Sequence, residues 1–334
     1  MSEKLFLTNF QSPGDVVMMT AAIRDLHIAY PGKYLTNVET SCMELWEHNK
    51  YINKSFKKDG KGVRRLQLGY DEVINDSNEG SYSFIHGFHI NLGKQLGIHI
   101  PCTKHYGYVP LSDEEKSWMS MIHEHYTKKD IPYWIIFSGG KKDYTSKWWI
   151  PEYAQEVVNH FKDKIQFVQC GHAEAGHYHP KLDHVIDLIG KTDLRMFVRL
   201  MYHAQGVVCP ITLATHLSAA VETRSDHAPR RACVTICGGR EPHMFIDYTN
   251  HQTLHTNGSL PCCDNGGCWK SRTVALGDGD SKDSELCIHT VEMFGRQVQK
   301  CMSMITPKKV IDSIEMFMEH PKRQWLSKEA HENA

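Results

Sequence analysis

Short apolar strands alternate with helices along this chain, in two series separated by one break. That alternation is the strongest constraint on the fold. Strands apolar on both faces, each followed by a helix-length segment, belong in parallel sheets covered by helices. In the first series Leu5 to Phe10 reads as a strand and Gln11 to Asp15 as a turn. Val16 to Tyr30 reads as a helix stopped by Pro31-Gly32, and Tyr34 to Val38 as a second strand. A short helix is expected over Cys42 to His48, a strand at Val63 to Leu68 and a helix at His89 to Leu96. Ser112 to Glu115 forms a capping box that should open a helix to about Tyr126. Lys128-Lys129-Asp130-Ile131-Pro132 then breaks the pattern. The second series starts at Tyr133. Its expected strands are 133–137, 165–170, 185–188, 206–209 and 231–237, and its expected helices 151–161, 193–203 and 212–221. Pro307 to His320 closes the chain as an amphipathic helix. The expected division is an N-terminal unit over 1–127, a second unit over 128–305, and a C-terminal helix over 306–322 that packs back toward the first unit.

Composition removes several function classes. Lys and Arg total 38 against 39 for Asp and Glu, so there is no global basic footprint for nucleic acid or anionic membrane. A local run, Lys54, Lys57, Lys58, Lys61, Arg64 and Arg65, reads more simply as a solvated loop than as a DNA-binding stripe. No apolar run approaches the ~20 residues that span a bilayer. The N-terminus lacks the long apolar region of a signal peptide. A reducing cytoplasm is therefore the expected setting, and a disulfide framework is not expected from the 11 cysteines. Six of them (Cys42, Cys102, Cys170, Cys209, Cys233, Cys237) are scattered and read as small buried hydrophobes.

The chemistry should lie where strands hand over to helices, because anions bind there in open α/β sheets. The strand at 133–137 runs into Ser138-Gly139-Gly140, where a backbone can approach a phosphate. Lys147 follows, with Lys141 and Lys142 as competing cations. The strand at 206–209 runs into Thr212-Leu213-Ala214-Thr215-His216, whose hydroxyl, amides and imidazole can receive phosphate oxygens. Taken alone, Thr212 is equally a helix cap and His216 a packed side chain. Gly238-Gly239-Arg240-Glu241 repeats the arrangement one strand later, with Glu241 placed to hold a ribose or sugar hydroxyl. Asp15, at the first strand-to-helix turn, is either a first-turn carboxylate on orphan amides or a general base facing the cleft. The aromatic and histidine residues Phe88, His89, His105, Tyr106 and Tyr108 belong equally to an acceptor wall or to the core.

These residues resemble glycosyltransferase family 9, the heptosyltransferases. Gly14 to Leu26, ending at Pro31-Gly32, is similar to that family's N-terminal signature. Lys147-Trp148-Trp149-Ile150-Pro151-Glu152 is similar to its lysine-tryptophan-proline segment. Leu188 to Leu194 resembles its Gly-Lys-Thr-Ser-Leu step, and Thr212 to His216 its Asp-Thr-Gly-x-x-His segment. The family aspartate falls on Ile211 and the family glycine on Leu213. The resemblance implies a GT-B fold, with two Rossmann-like domains facing an interdomain cleft. It also implies inverting transfer of a sugar, heptose-like, from a nucleotide diphosphate donor such as ADP-heptose to an acceptor hydroxyl. Asp15 would be the base, and Lys147 would neutralise the leaving diphosphate with Ser138, Gly139, Gly140, Thr212, His216 and Glu241 around the donor. The acceptor would be a saccharide, a protein hydroxyl or a modified nucleic acid, and a homo-oligomer is compatible with all three.

A second cluster, Pro261-Cys262-Cys263-Asp264-Asn265-Gly266-Gly267-Cys268 with Cys287 and Cys301, has the make-up of a thiolate metal finger spanning 260–302. The expected ligands of a structural Zn or Fe ion are Cys263, Cys268, Cys287 and Cys301, with Cys262 as the alternate. Some protein-modifying members of the resembled family carry a comparable finger. Two other readings stay open on the same scaffold: an epimerase or phosphorylase of nucleotide sugars, and a non-catalytic binder of them.

Overall fold

The computed structural model describes residues 2–319 apart from Ser77 and Ala175. Glu3–Asn9 (β1) pairs in parallel with Tyr34–Thr40 (β2) on one side and with Val63–Gln67 (β3) on the other. Helix α1 (Pro13–Ala29) joins β1 to β2 and is buried at every position from Val16 to Leu26. A helix apolar all round must be covered all round. Here Phe84–Leu96 (α2) packs on it from within its own half, and a helix of the second half covers it further. The predicted start of α2 at His89 was late: Ser83 caps the helix by accepting from the His86 amide, so it begins at Phe84. The helix expected from Ser112 to Tyr126 is broken. It stops after Ser117, and a second turn starts where the Ser120 hydroxyl receives the Ile122 amide.

The second half carries a six-stranded sheet. Its strands are Tyr133–Ile136 (β4), Gln166–Gln169 (β5), Val185–Asp187 (β6), Gly206–Pro210 (β7), Ala232–Gly238 (β8) and His251–His255 (β9). All pair in parallel, in the order β9-β8-β7-β4-β5-β6. The winding reverses between the neighbours β4 and β7, the doubly wound order of a dinucleotide-binding sheet. Ligands sit outside the strand ends at such a reversal. The helices are Pro151–Phe161 (α3), Leu194–His203 (α4), Leu213–Ala220 (α5) and Pro307–Glu319 (α6). An antiparallel hairpin, Thr290–Met293 (β10) with Arg296–Gln299 (β11), lies in the cysteine-rich segment. The sequence pattern gave no sign of this hairpin or of β9.

One core runs unbroken from Leu5, Met18 and Met19 of the first half to Val207, Ala214 and Leu217 of the second, where α1 packs on α5. A second core lies behind the larger sheet, between α3 and α6, and includes Val157, Phe161, Val310 and Ile314. The C-terminal helix therefore differs from expectation. Among the described residues it packs on α3, β8 and β9, not back toward the first unit, because Val310 and Ile314 fill that rear face. Positions 320–322 of the expected helix lie outside the described residues.

A buried ion pair also links the halves. Arg195 on α4 donates through Nε to Glu115 at 2.7 Å and through Nη2 to the Pro110 carbonyl at 3.0 Å. Although burial alone would raise it, the Glu115 carboxyl is held below its ordinary range by Arg195 and the Ser112 amide. A depressed carboxylate stabilises the fold above its unfolded pKa, and that contribution is lost as pH falls through the folded value. Replacing Arg195 by Met should strand the Glu115 charge and cost about 3 kcal/mol. Calorimetry should register this as a lowered Tm at neutral pH, largely recovered in the Arg195→Met/Glu115→Leu double variant.

Candidate active site

The ends of β4 and β7 open into a cavity of about 870 Å³ between the two halves, within the range of small-molecule and cofactor sites. Asp15, Gly139, Gly140, Lys147, Thr212, His216 and Glu241 all line it. Ser138 does not. Its hydroxyl donates to the Pro180 carbonyl at 2.5 Å and accepts from Gln169 at 2.6 Å, so it braces the loop from behind. Gly139 is required by its surroundings: a Cβ there would lie 2.1 Å from the Tyr178 carbonyl oxygen, a backbone atom with nowhere to go.

Asp15 sits on the wall supplied by the first half, in the first turn of α1. One carboxylate oxygen accepts the Ser12 amide at 3.0 Å and the other accepts the Tyr70 hydroxyl at 2.9 Å. The capping role and the cleft-facing position thus coexist. Burial pushes this carboxyl above its ordinary range, while Tyr70 and the charge of Lys147 pull it back down. A carboxylate raised in this way is a better proton acceptor than a solvated one.

Lys147 occupies the opposite wall. Its Nζ lies 2.6 Å from Glu241, whose side chain is 4% exposed against 26% for the lysine. Glu241 is also paired with Arg240, and these two cations hold its carboxyl below the ordinary range despite complete burial. Both cations meet one oxygen of Glu241, Oε1, while the residue also lines the cavity. The rest of the Lys147 side chain opens on the cavity. Lys141 lines the cleft as well, whereas Lys142 does not.

Thr212 is the N-cap of α5, its hydroxyl accepting the Ala214 amide at 3.3 Å. One turn later, His216 lies against Gly14, where a Cβ would come within 2.7 Å of the imidazole Cδ2. The ring's Nδ1 meets the Tyr248 hydroxyl at 2.7 Å. Burial pushes His216 down to about 3, so the ring is neutral at pH 7. With Tyr248 donating to Nδ1, Nε2 carries the hydrogen. His216 then offers the cleft a neutral donor beside the N-terminus of α5, not a second positive charge. Tyr70 and Tyr248 escaped the sequence reading because each meets its partner through the fold, and Arg240 carried no role in that reading. Only Arg240 adjoins its partner in sequence.

The turn that carries Lys147 (residues 142–147) is gripped by the cysteine-rich segment. Ser146 donates its amide to the Ser271 carbonyl at 3.1 Å, and Thr145 Oγ1 accepts the Thr273 amide at 2.9 Å. The buried Arg272 binds Asp143 at 3.0 Å and Asp278 at 2.9 Å, and also Asp283. All eleven cysteines are free thiols. Burial, followed by the nearby Cys268, Cys263, Cys287 and Cys301, pushes Cys262 up to about 12. Cys301, raised to about 11 chiefly by burial, also feels Cys287 and Cys268. Cys263 instead turns its sulfur to the Thr256 carbonyl at 3.4 Å. The thiols converge without closing: they are absent from the groups of three or more potential ligand atoms lying within 4.8 Å of one another among the described residues.

A doubly wound donor half facing a second α/β half, with a raised carboxylate on one wall and a lysine on the other, is the layout of a GT-B glycosyltransferase. Comparison with known proteins agrees. Residues 98–253 match the model of glycosyltransferase family 9 (heptosyltransferase). No curated protein matches the chain. Among solved structures, a family 9 glycosyltransferase from Veillonella parvula superposes with a TM-score of 0.64 at 13% identity, covering 94% of this chain and 96% of that one. The E. coli ADP-heptose lps heptosyltransferase II gives 0.56 at 13% identity, covering 96% and 99%. The iron-containing dodecameric glycosyltransferase TibC of enterotoxigenic E. coli gives 0.60 at 15%, covering 95% of this chain and 76% of that one. At these identities the superpositions establish the fold, and the matched segment identifies the chain as a glycosyltransferase.

Nitrogen-detected NMR of the imidazoles should find His216 as a single neutral tautomer, protonated at Nε2, down to pH 5. Tyr248→Phe should remove the tautomer preference while leaving the ring neutral.

Proposed function

We propose that this enzyme transfers a heptose-like sugar, with inversion, from an ADP-linked donor to an acceptor hydroxyl. One observation carries the reading: Asp15 and Lys147 face each other across the same cavity, close enough to influence each other's charge, at the reversal point of the donor sheet. Asp15 accepts the proton of the attacking hydroxyl. Lys147 neutralises the departing diphosphate, assisted by the α5 N-terminus at Thr212 and the Nε2–H of His216. Gly139 and Gly140 let the phosphates approach the backbone. Glu241 keeps Lys147 aimed and supplies the buried carboxylate that Ile211 lacks. Heptosyltransferase II and TibC, the latter also solved in complex with ADP-D-beta-D-heptose, support this donor class.

The thiols of Cys262, Cys268, Cys287 and Cys301 suit a structural Zn or Fe ion, a role that an all-thiolate donor set fits and that leaves no open coordination position. The iron-containing TibC supports this, and its dodecameric assembly supports an oligomer here. Cys263 can take the place of Cys262 in that set, since its sulfur, 3.4 Å from the Thr256 carbonyl, is no more engaged than that of Cys287, 3.3 Å from the His289 carbonyl. The ion would supply rigidity to the segment that grips the 142–147 turn. The acceptor is a saccharide or protein hydroxyl. The basic run favours a nucleic acid less, since Arg65 pairs with Asp59 at 2.6 Å and Lys58 with Glu39 at 3.3 Å. Placed in a cytoplasmic setting, the enzyme would meet its nucleotide sugar there. No described helix is long and apolar enough to cross a membrane.

Asp15→Asn should retain donor binding, read as a thermal shift with ADP-heptose, and lose transfer by about 10²-fold or more. Full activity in that variant would remove Asp15 as the base. Tyr70→Phe should move the acid limb of kcat/KM to higher pH, because it removes a hydrogen bond that lowers the Asp15 pKa. Lys147→Met should abolish the thermal shift.

A further inference from the structure

Away from the cleft, a second group of metal-type side chains sits between α2 and the segment that follows it. Among the described residues, His86, Cys102 and His105 bring one potential ligand atom each within 4.8 Å of the others, and so do Asp25, His89 and Cys102. Cys102 is common to both sets. A third set, Glu47, His48 and Glu115, is spoken for, because Glu115 is the partner of Arg195.

The Asp25 set is also spoken for. Asp25 accepts from Arg24 at 2.9 Å, from His89 at 2.8 Å and from Thr103 Oγ1 at 2.5 Å. His89 spends its other nitrogen on the Ile85 carbonyl at 2.7 Å. These groups form a supporting layer. Arg24 carries it outward by donating to the Lys104 carbonyl at 2.6 Å and the Tyr106 carbonyl at 2.7 Å. The segment bearing Cys102 and His105 is thereby fixed to the buried face of α1. His86 is fixed as well: its Nδ1 accepts the Ser83 amide at 3.2 Å and lies 3.0 Å from the Ser83 hydroxyl, so without an ion the ring hydrogen sits on Nε2. Its ring centroid is 5.0 Å from that of His105. Two imidazoles and one thiol, half-buried, with two of the three on a segment braced by Arg24, offer the nitrogen and sulfur donors that suit a borderline divalent cation.

We propose that His86, Cys102 and His105 form a binding site for Zn²⁺, with three protein ligands and a fourth position open to water. On binding, Cys102 loses its thiol proton to solvent, and the His86 hydrogen moves from Nε2 to Nδ1, where Ser83 Oγ replaces the Ser83 amide as its partner. The ion would tie the 102–106 segment to α2. It would also sit behind the phosphate-facing wall, since the His105 ring lies 6.1 Å from that of Tyr248, the partner of His216. The site is independent of the cysteine finger and of the donor assignment.

Peptide-resolved alkylation of the full-length protein tests the site and separates Cys102 from the finger thiols. Two equivalents of Zn²⁺, enough to fill the finger as well, should slow labelling of Cys102 by about tenfold or more, and Mg²⁺ should not. His105→Asn should abolish that protection while leaving any Zn²⁺ protection of the finger cysteines unchanged, and should bind one equivalent of Zn²⁺ fewer than the parent. Ser83→Ala should weaken the protection by about tenfold. Equal labelling of Cys102 with and without Zn²⁺ in the unmodified protein would overturn the proposal, even if the variants failed to fold. So would protection that survives in a folded His105→Asn protein.

Discussion

The contact between Lys147 and Glu241 organises the donor side of this enzyme. A buried carboxylate is costly unless cations attend it, and here Lys147 and Arg240 both do. Lys147 is consequently held in place before any ligand arrives, with one face still open. Its backbone is held just as firmly. The 142–147 turn hangs on Ser271, Thr273 and Gln299, and Asp143 answers the buried Arg272. The cysteine-rich segment is therefore part of the donor wall, and whatever stiffens that segment also stiffens the lysine.

The first half works by the opposite logic. Asp15 has no full counter-charge in contact, only the Tyr70 hydroxyl and the Ser12 amide. Its burial is left partly uncompensated, which raises its affinity for a proton. One wall thus stores a paired cation and the other a carboxylate short of partners. In the proposed transfer the front wall gains a proton, and the surplus positive charge of Lys147 and Arg240 around the single Glu241 carboxylate meets the departing diphosphate.

Much of this was legible in the sequence. Strong, short-range signals carried the parallel strands: apolar runs such as Val207–Cys209 and Val234–Cys237, each ended by proline or glycine. That Asp15, Lys147, Thr212 and His216 would meet at one cavity was legible because they sit near strand-to-helix turns and because the motif order resembles a known family. What escaped depends on long-range pairing. Nothing near Ser138 announces that Gln169 and Pro180 claim its hydroxyl, and Glu241 reads as free until the fold delivers Lys147 to it. The register of α6 was misjudged for a similar reason: an apolar stripe tells that a helix is covered, not by what. Cys102 was read as a filler side chain, since a lone cysteine shows nothing of the two histidines that the turn after α2 brings beside it.

The packing of α1 on α5 has a mechanical consequence. A glycosyltransferase of two halves must widen to admit its substrates, yet here hydrophobic side chains fuse the halves along those two helices. Separating the walls evenly would tear that seam and expose Met18, Ala214 and Leu217 to water. Opening by a rocking about the seam would keep those side chains covered, which an even separation would not. Asp15 and His216 lie on the two fused helices, whereas Trp148 and the exposed Tyr178, whose rings pack together, lie outside that seam.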